Sequence, residues 1–252
     1  MLEIFLLSLI QGITEFLPIS SSSHLIIFSK YTNFENQSLA IDVSLHIGSF
    51  LAVVAYFHKD LFYFFRNKDL MLKILIASIP VMLLGFFLVQ TNLVEKLRNI
   101  EVIGWTTLIF GFLLYIADKY ELKKDIKTNL NYKSVIFIGI FQMFALIPGV
   151  SRSGISISAA RFLMFKRYDA AKISFLLSIP TLAAVSLFGL KNMIASKDLL
   201  FSSLNLISII FSFIISLVTI NYFLKYIKNF SLNVFVLYRI ILGTTLLLIA
   251  YL

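Results

Sequence analysis

The stretch QGITEFLPISSSSHL, residues 11–25, interrupts an apolar run with a glutamine, a carboxylate, a proline, four consecutive serines and a histidine. Pro18 has no backbone N–H and cannot continue a helix, so the chain must break near this residue. The flanking residues are apolar enough to enter a membrane, where broken backbone is tolerated only against protein or a wet cavity. We therefore predict a re-entrant helical hairpin that places polar side chains inside the bilayer.

The composition around this stretch is that of an integral membrane protein. The chain has 252 residues, of which 59% are hydrophobic and 14% charged, and its mean hydropathy is +0.92. These values lie outside the range of soluble globular proteins. Apolar runs of roughly 18 to 23 residues match helices that cross about 30 Å of hydrocarbon, whereas barrel strands would alternate in polarity over about 10 residues. The sequence contains no cysteine, which excludes disulfides and thiolate chemistry. We predict an all-α membrane protein.

The apolar runs form two sets of three. Six runs are predicted to cross the membrane: 42–58, 72–90, 101–118, 169–190, 203–225 and 233–251. A second interrupted segment, 134–165, precedes the second set, as 1–30 precedes the first. We interpret the two halves as repeats of one unit. Because each half has an odd number of spans, the second repeat enters the membrane in the opposite orientation. This arrangement brings the two broken helices together near the midplane of the bilayer. We predict one membrane domain, 1–252, with inverted repeats 1–118 and 134–252, six full spans and two re-entrant hairpins.

Basic residues set the predicted orientation. On one face, fourteen lysines and arginines fall within 59–73, 119–133, 166–172 and 225–228. The opposite face carries five: Lys30, Lys96, Arg98, Lys191 and Lys197. Because cytoplasmic loops are enriched in basic residues, we expect the first face to be cytoplasmic and both termini to be periplasmic. Such loops and anionic lipid account for the net charge of +9, so no nucleic acid partner is expected.

The polar residues of the first interrupted segment predict a chemical site. Gln11 and Glu15 are four residues apart and share a helix face. A carboxylate at membrane depth is a functional candidate by default, and the structural alternative is a glutamate paired with a nearby cation. The structural explanation of the serines is an N-cap for the helix that restarts after the break, but a cap needs only one hydroxyl. Ser20 to Ser23 supply four hydroxyls at a helix N-terminus, a combination that suits a bound phosphate. His24 beside them is a candidate proton carrier or nucleophile.

The second interrupted segment, PGVSRSGISIS at residues 148–158, offers complementary groups. Its glycines allow close backbone approach and its serines add donors: Gly149, Gly154, Ser151, Ser153 and Ser156. Arg152 supplies a permanently charged planar fork that suits phosphate oxygens. The same arginine could be the counter-ion of Glu15, and the two roles are compatible.

Four further polar residues are less decisive. Arg161 and Arg239 lie in apolar segments, and we expect their side chains to extend towards a membrane interface. His46 and Asp42 stand at the start of a predicted span, where a site role and a structural role are both open.

EFLPISSSSHL and PGVSRSGISIS, together with ISFLLSIP and VLYRIILG, resemble the undecaprenyl pyrophosphate phosphatase family of bacterial inner membranes, the bacitracin-resistance type. The resemblance extends over essentially the whole chain. It implies release of phosphate from undecaprenyl pyrophosphate, which recycles the lipid carrier for peptidoglycan synthesis. It also implies a divalent cation, Mg²⁺ or Ca²⁺, as cofactor. The expected partners are a polyprenyl pyrophosphate and membrane lipids, and the sequence is compatible with a homodimer.

The resemblance also assigns roles to residues. The catalytic set is Glu15, Ser21, His24 and Arg152, the phosphate-binding set is Ser20, Ser22, Gly149, Ser151, Arg152, Ser153 and Ser156, and the metal set is Glu15 and Gln11. Gln11 stands where the family commonly has glutamate, which puts a two-carboxylate metal site in doubt.

Several mechanistic alternatives stay open at this point. We favour Ser21 as nucleophile with His24 and Glu15 handling protons, while attack by His24 or directly by water is not excluded. Inverted repeats with broken helices also occur in secondary transporters, so a transporter or flippase of polyprenyl phosphate lipids is the alternative function.

Overall fold

A computed structural model describes residues 1–31, 38–66, 68–91, 97–195 and 203–252. Within these ranges the chain is helical, and strand-like pairing is limited to one isolated bridge between Lys124 and Phe165. The helices are α1 (Leu2–Thr14), α2 (Ser21–Tyr31), α3 (Leu39–Tyr56), α4 (His58–Arg66), α5 (Lys68–Gln90), α6 (Ile100–Asp118), α7 (Ile126–Asn129), α8 (Tyr132–Gln142), α9 (Arg152–Phe162), α10 (Arg167–Ala195), α11 (Ser203–Asn229) and α12 (Asn233–Tyr251). A 3₁₀ turn, Met143–Leu146, follows α8.

Five of the described helices are long and apolar enough to cross a membrane, namely α5, α6, α10, α11 and α12. The remaining predicted span, 42–58, coincides with α3, which belongs with α1 and the helical segment Tyr132–Leu146 to a set of shorter apolar helices. The predicted all-α membrane class is therefore confirmed. Lys96 and Lys197, two of the basic residues used for orientation, lie outside the described residues.

Both interrupted segments are helical hairpins. The first hairpin comprises α1 and α2, and the second comprises α8, the 3₁₀ turn and α9. In each, a serine with positive φ immediately precedes the second helix: Ser20 has φ 74° and Ser151 has φ 71°. Such backbone costs about 1–3 kcal/mol in a non-glycine residue, so the surrounding packing must hold it. The Ser151 hydroxyl accepts a hydrogen bond from Gly154 N at 3.1 Å and caps α9.

The longer helices pack against the hairpins and against one another. α11 packs against α1 and α3, while α5 packs against α8 and α10, and α6 pairs with α12. Small residues permit close approach: a Cβ on Gly12 would lie 2.7 Å from Ile215 Cγ2, and one on Gly139 would lie 2.6 Å from Ala77 O. Each hairpin thus has its first helix pressed against a long neighbouring helix.

An aromatic contact anchors the first hairpin at its break. Phe16 is fully buried and meets Phe175 of α10 edge to face, with ring centroids 5.3 Å apart. Aromatic pairs of this geometry contribute about 0.5–1.5 kcal/mol beyond their area burial. Since Phe16 follows Glu15 directly, this packing fixes the backbone that carries the carboxylate.

The expectation for Arg161 and Arg239 is wrong, because both side chains are fully buried. Arg161 donates to backbone oxygens of Phe165 at 2.5 Å, Asp118 at 3.2 Å and Glu121 at 3.3 Å, and also to that of Tyr120. Unpaired carbonyls at helix ends need donors when they are buried, and a guanidinium supplies five. Backbone carbonyls therefore hold both arginines inside the protein, and Arg161 Nε also lies 3.6 Å from the Asp118 carboxylate.

Candidate active site

The two hairpin breaks face one cavity of about 190 Å³. Six of the predicted site residues line it: Glu15, Ser20, Ser21, Ser22, Ser151 and Arg152. They include the first residues of α2 and α9, so two helix N-termini meet at the cavity. A helix N-terminus carries free N–H groups and the positive end of the helix dipole, which favours an anion. The fold therefore brings both predicted motifs to a single cavity whose helix N-termini favour an anion.

Glu15 is the centre of the hydrogen-bond network at this cavity. Its side chain is 7% exposed, and Oε1 accepts from Arg152 Nη2 at 2.9 Å. Oε2 accepts from Ser21 Oγ at 2.6 Å and from Gln11 Nε2 at 3.1 Å. The carboxylate therefore connects the serine row of the first hairpin to the arginine of the second. Glu15 and Arg152 therefore form the ion pair that the sequence left open, and both side chains also line the cavity.

Arg152 is only partly committed to protein partners. Its side chain is 14% exposed, and besides Glu15 it donates through Nη1 to the Ser174 carbonyl at 3.4 Å. An arginine has five N–H donors, so others are free to meet an anion in the cavity. The geometry combines a fixed guanidinium with room for phosphate oxygens.

His24 does not line the cavity. Its Nδ1 lies 2.7 Å from the Ser20 carbonyl oxygen and its Nε2 lies 2.5 Å from the Tyr238 hydroxyl. Because a carbonyl only accepts, Nδ1 carries the hydrogen, and Nε2 of the neutral ring accepts from Tyr238. In this arrangement His24 supports the backbone of the serine row.

Three predicted phosphate ligands also lie away from the cavity lining. Ser153 Oγ donates to the Leu17 carbonyl at 2.7 Å, which joins the second hairpin to the first. Ser156 Oγ donates to Gln142 Oε1 at 3.3 Å inside the second hairpin. Gly149 has φ 96°, and a Cβ there would lie 1.9 Å from Thr106 Oγ1, so only glycine fits. These residues shape the hairpins around the site.

Gln11 and Glu15 are the predicted ligands of a cation. Among the described residues, no cluster of three or more His, Asp or Glu side chains is placed to hold a metal ion. Gln11 Nε2 contacts Glu15 and, at 3.0 Å, His46 Nδ1. The amide oxygen, Oε1, is buried without a hydrogen-bond partner. It is Nε2 that contacts Glu15, and Gln11 is not part of the cavity lining. An unsatisfied amide oxygen is a donor of the kind that a hard cation takes together with ligands from substrate or water.

The model of the bacitracin resistance protein BacA family matches residues 4–245. The chain belongs to this family. It is 51% identical over 251 residues to the undecaprenyl-diphosphatase of Pelagibacter ubique (strain HTCC1062), covering 99% of this chain and 98% of that protein. The undecaprenyl-diphosphatases of Jannaschia sp. (strain CCS1) and Ruegeria sp. (strain TM1040) are 41% identical over 261 residues and 37% identical over 265 residues. They cover 98% and 100% of this chain, and 98% and 99% of their own lengths.

The structure of this BacA family chain adds three residues that the motifs did not assign to the site. His46 of α3, undecided from sequence, lines the cavity and contacts Gln11. Tyr238 holds His24, and its neighbour Arg239 contacts both hairpin breaks. An ionisable residue inside an apolar segment is functional by default, and this signal could have identified Arg239. Asp42, the other undecided residue, is not part of the cavity lining.

Proposed function

We propose that this chain hydrolyses undecaprenyl pyrophosphate to undecaprenyl phosphate and inorganic phosphate. Its BacA family membership and its similarity to undecaprenyl-diphosphatases support this activity. One structural observation carries the argument: Ser21, Glu15 and Arg152 form a continuous hydrogen-bonded chain at a cavity between two helix N-termini. The product is the lipid carrier for peptidoglycan synthesis. Faster recycling of that carrier accounts for bacitracin resistance, which the family name records.

Binding of the pyrophosphate uses the positive side of the site. The N–H groups that begin α2 and α9 and the Arg152 fork receive the phosphate oxygens, aided by hydroxyls of Ser20, Ser22 and Ser151. Gly149, Ser153 and Ser156 assist by holding the hairpin backbone. Phosphoryl transfer depends chiefly on positioning and charge stabilisation, so this arrangement meets the main demand of the reaction.

Ser21 is the proposed nucleophile. Its hydroxyl already donates to Glu15 Oε2 at 2.6 Å, so the proton moves to the carboxylate as Oγ bonds to the terminal phosphorus. The bond from that phosphorus to the bridging oxygen breaks, and undecaprenyl phosphate leaves. Glu15 passes that proton to the phosphate oxygen of the leaving lipid and becomes a carboxylate again. Water then attacks the phosphoserine phosphorus, and Glu15 takes a proton from the water. As the bond between phosphorus and Ser21 Oγ breaks, Glu15 returns the proton to Oγ and inorganic phosphate leaves. Attack by His24 would first require its Nε2 to leave Tyr238, and direct water attack would require Glu15 to activate water in place of Ser21.

A divalent cation, Mg²⁺ or Ca²⁺, is proposed to bind together with the substrate. The Glu15 carboxylate and the unpartnered Gln11 Oε1 would be its protein ligands, with phosphate oxygens and water completing the shell. The cation supplies charge neutralisation for the phosphate groups. Glu15 and Arg152 perform their own roles through direct contacts.

We propose further that the chain is an inverted repeat in the bacterial plasma membrane. The halves are 1–118 and 134–252, with six spans, two re-entrant hairpins and periplasmic termini. Helix contacts that recur in pairs support the repeat: α1 with α11 matches α8 with α5, and α3 with α11 matches α10 with α5. Gln11 and Gln142 are both buried, and each stands nine residues before its positive-φ serine.

Single-cysteine labelling tests this orientation, since the chain has no cysteine of its own. A cysteine beside Lys124 should resist an impermeant thiol reagent in intact cells, whereas a tag at either terminus should be accessible in spheroplasts. Labelling of the Lys124 loop in intact cells contradicts the proposed topology.

The activity itself is tested by phosphate release from undecaprenyl pyrophosphate with purified protein in detergent. We expect release by the wild type, loss of release with a chelator, and recovery with Mg²⁺ or Ca²⁺. Ser44→Ala is the control, because Ser44 donates to the Ala40 carbonyl on α3 and lies outside the cavity. A wild type that releases no phosphate with any divalent cation, yet moves polyprenyl phosphate between liposome leaflets, would show the transporter function instead.

A further inference from the structure

Arg239 of α12 is fully buried where the two hairpin breaks meet α6. Each of its five N–H donors has a backbone acceptor. Nε donates to Thr107 O at 3.2 Å, Nη1 donates to Pro18 O at 3.2 Å and Val150 O at 3.0 Å, and Nη2 donates to Thr106 O at 3.5 Å and Gly149 O at 3.0 Å. The guanidinium therefore contacts the first break, the second break and a neighbouring long helix at once.

Three of these acceptors exist because the hairpins are broken, and the other two belong to α6. A helix that ends inside the protein leaves carbonyls without intrahelical partners, and a buried unpaired carbonyl costs about 1–3 kcal/mol. Pro18 O belongs to the first break, whereas Gly149 O and Val150 O belong to the second. A planar fork with fixed donor directions satisfies all three only when the breaks hold one relative position.

The clamped carbonyls are close in sequence to the reacting groups. Pro18 precedes Ser21 by three residues, and Val150 precedes Arg152 by two. A shift of either break therefore moves Ser21 or Arg152 directly. Displacements of about 1 Å at a reacting group can cost about 100-fold in rate.

We propose that Arg239 is the positioning residue that sets the register between the two hairpins and so aligns Ser21 with Arg152 across the cavity. The inference rests on the proposed phosphatase activity for its kinetic consequences. Its geometric consequence, a fixed distance between the hairpins, does not depend on that activity.

Arg161 is a matched control within the chain. It is equally buried and also donates to backbone carbonyls, those of Asp118, Tyr120, Glu121 and Phe165, and none of these residues lines the cavity. Its Nε also lies 3.6 Å from Asp118 Oδ1, and no substitution at position 161 touches the hairpin breaks at Pro18 and Gly149. A lysine offers three donors on one nitrogen, so Arg239→Lys and Arg161→Lys each leave buried carbonyls unpaired. Both variants should lose thermal stability, whereas only the first should disturb the site.

The kinetic test compares kcat, KM and the thermal midpoint of these two variants in detergent. We expect Arg239→Lys to lose at least about 100-fold in kcat at a temperature where it is folded, with Arg161→Lys within about fivefold of the wild type. Retention of kcat within about fivefold by Arg239→Lys overturns the proposal. Equal losses by the two variants also overturn it, since they would indicate a general effect of stability.

A second variant keeps the inference testable if Arg239→Lys does not accumulate. A Cβ on Gly111 would lie 3.1 Å from Arg239 Cβ, so Gly111→Ala displaces the arginine while leaving its charge and donors in place. We expect a loss on the order of tenfold in kcat. An unchanged kcat in folded Gly111→Ala protein counts against the proposal.

A distance measurement separates this inference from the proposed function. Nitroxide labels on cysteines at Phe5 and Phe144, both exposed, outside the cavity lining and on different hairpins, report the separation of the hairpins without substrate. The distance distribution should be narrow in the otherwise wild-type protein and in Arg161→Lys, and broad or shifted in Arg239→Lys. An unaltered distribution in Arg239→Lys refutes the positioning role even if the protein proves to have no phosphatase activity.

Discussion

The two hairpins use the same backbone arrangement for opposite chemistry. Each has a buried glutamine nine residues before a positive-φ serine, and each restarts its helix at the next residue. In the first hairpin that residue is Ser21, whose hydroxyl donates to a carboxylate, and in the second it is Arg152, a fixed cation. Under the proposed mechanism, the first hairpin supplies the nucleophile and the second supplies the charge stabilisation.

The largest expected effect comes from removing Ser21, the proposed nucleophile of the first hairpin. Ser21→Ala should lower kcat by about 10³-fold or more if Oγ bonds to phosphorus, because no other group on the serine row contacts Glu15 in the described structure. The matched control is Ser22→Ala, which lines the same cavity without that contact. Loss of one hydrogen bond of about 0.5–3 kcal/mol predicts a decrease of roughly 2- to 150-fold. Equal effects of the two variants would contradict a covalent role for Ser21.

The second hairpin should be nearly as sensitive to a change that preserves charge. Arg152→Lys is expected to lose at least about 100-fold in kcat, because an ammonium cannot reproduce the planar two-point contact with phosphate oxygens. Arg167→Lys is the control, since Arg167 binds Asp118 at 2.7 and 3.1 Å outside the cavity. Turnover of Arg152→Lys within about threefold of the wild type would exclude the proposed role.

A smaller effect is expected at His46, which supports the first hairpin from α3. His46→Leu removes the acceptor for Gln11 Nε2 and should lower kcat by roughly 2- to 13-fold, the equivalent of one hydrogen bond of about 0.5–1.5 kcal/mol. His46→Asn places an amide oxygen near the original Nδ1 and should retain most of the activity. If kinetics of the two variants do not differ, the contact with Gln11 has no role in the site.

The sequence predicted the membrane class and the two broken segments. Both signals, the length of the apolar runs and the helix-breaking effect of Pro18, are contained in short stretches of sequence. The sequence also selected Glu15, Ser21 and Arg152 as candidate site residues, because a carboxylate and a guanidinium in apolar segments need partners. The structure brings these three side chains into contact. The sequence did not predict that His24 contacts Tyr238 or that Arg239 contacts the two hairpin breaks. Their contacts join residues more than 80 positions apart, and no local pattern specifies which helix ends will meet. The burial of Ser153 and Ser156 away from the cavity depends on the same long-range packing.

The ion pair between Glu15 and Arg152 joins the two hairpins. Its role in holding the hairpins together must be distinguished from its role in phosphate release. Removing one partner leaves a buried charge unpaired and should destabilise the protein by about 3–5 kcal/mol. Replacing both with neutral residues of similar size is often close to neutral for stability. A neutral pair therefore preserves the packing while it removes the chemistry.

The most direct test is the thermal midpoint and kcat of the double variant Glu15→Gln/Arg152→Met beside its two single variants. The account predicts that the double variant regains most of the stability that each single variant loses, while its phosphate release stays at least about 10³-fold below that of the wild type. A stable double variant that retains kcat within about tenfold would contradict the account, because the pair would then serve only to hold the hairpins together.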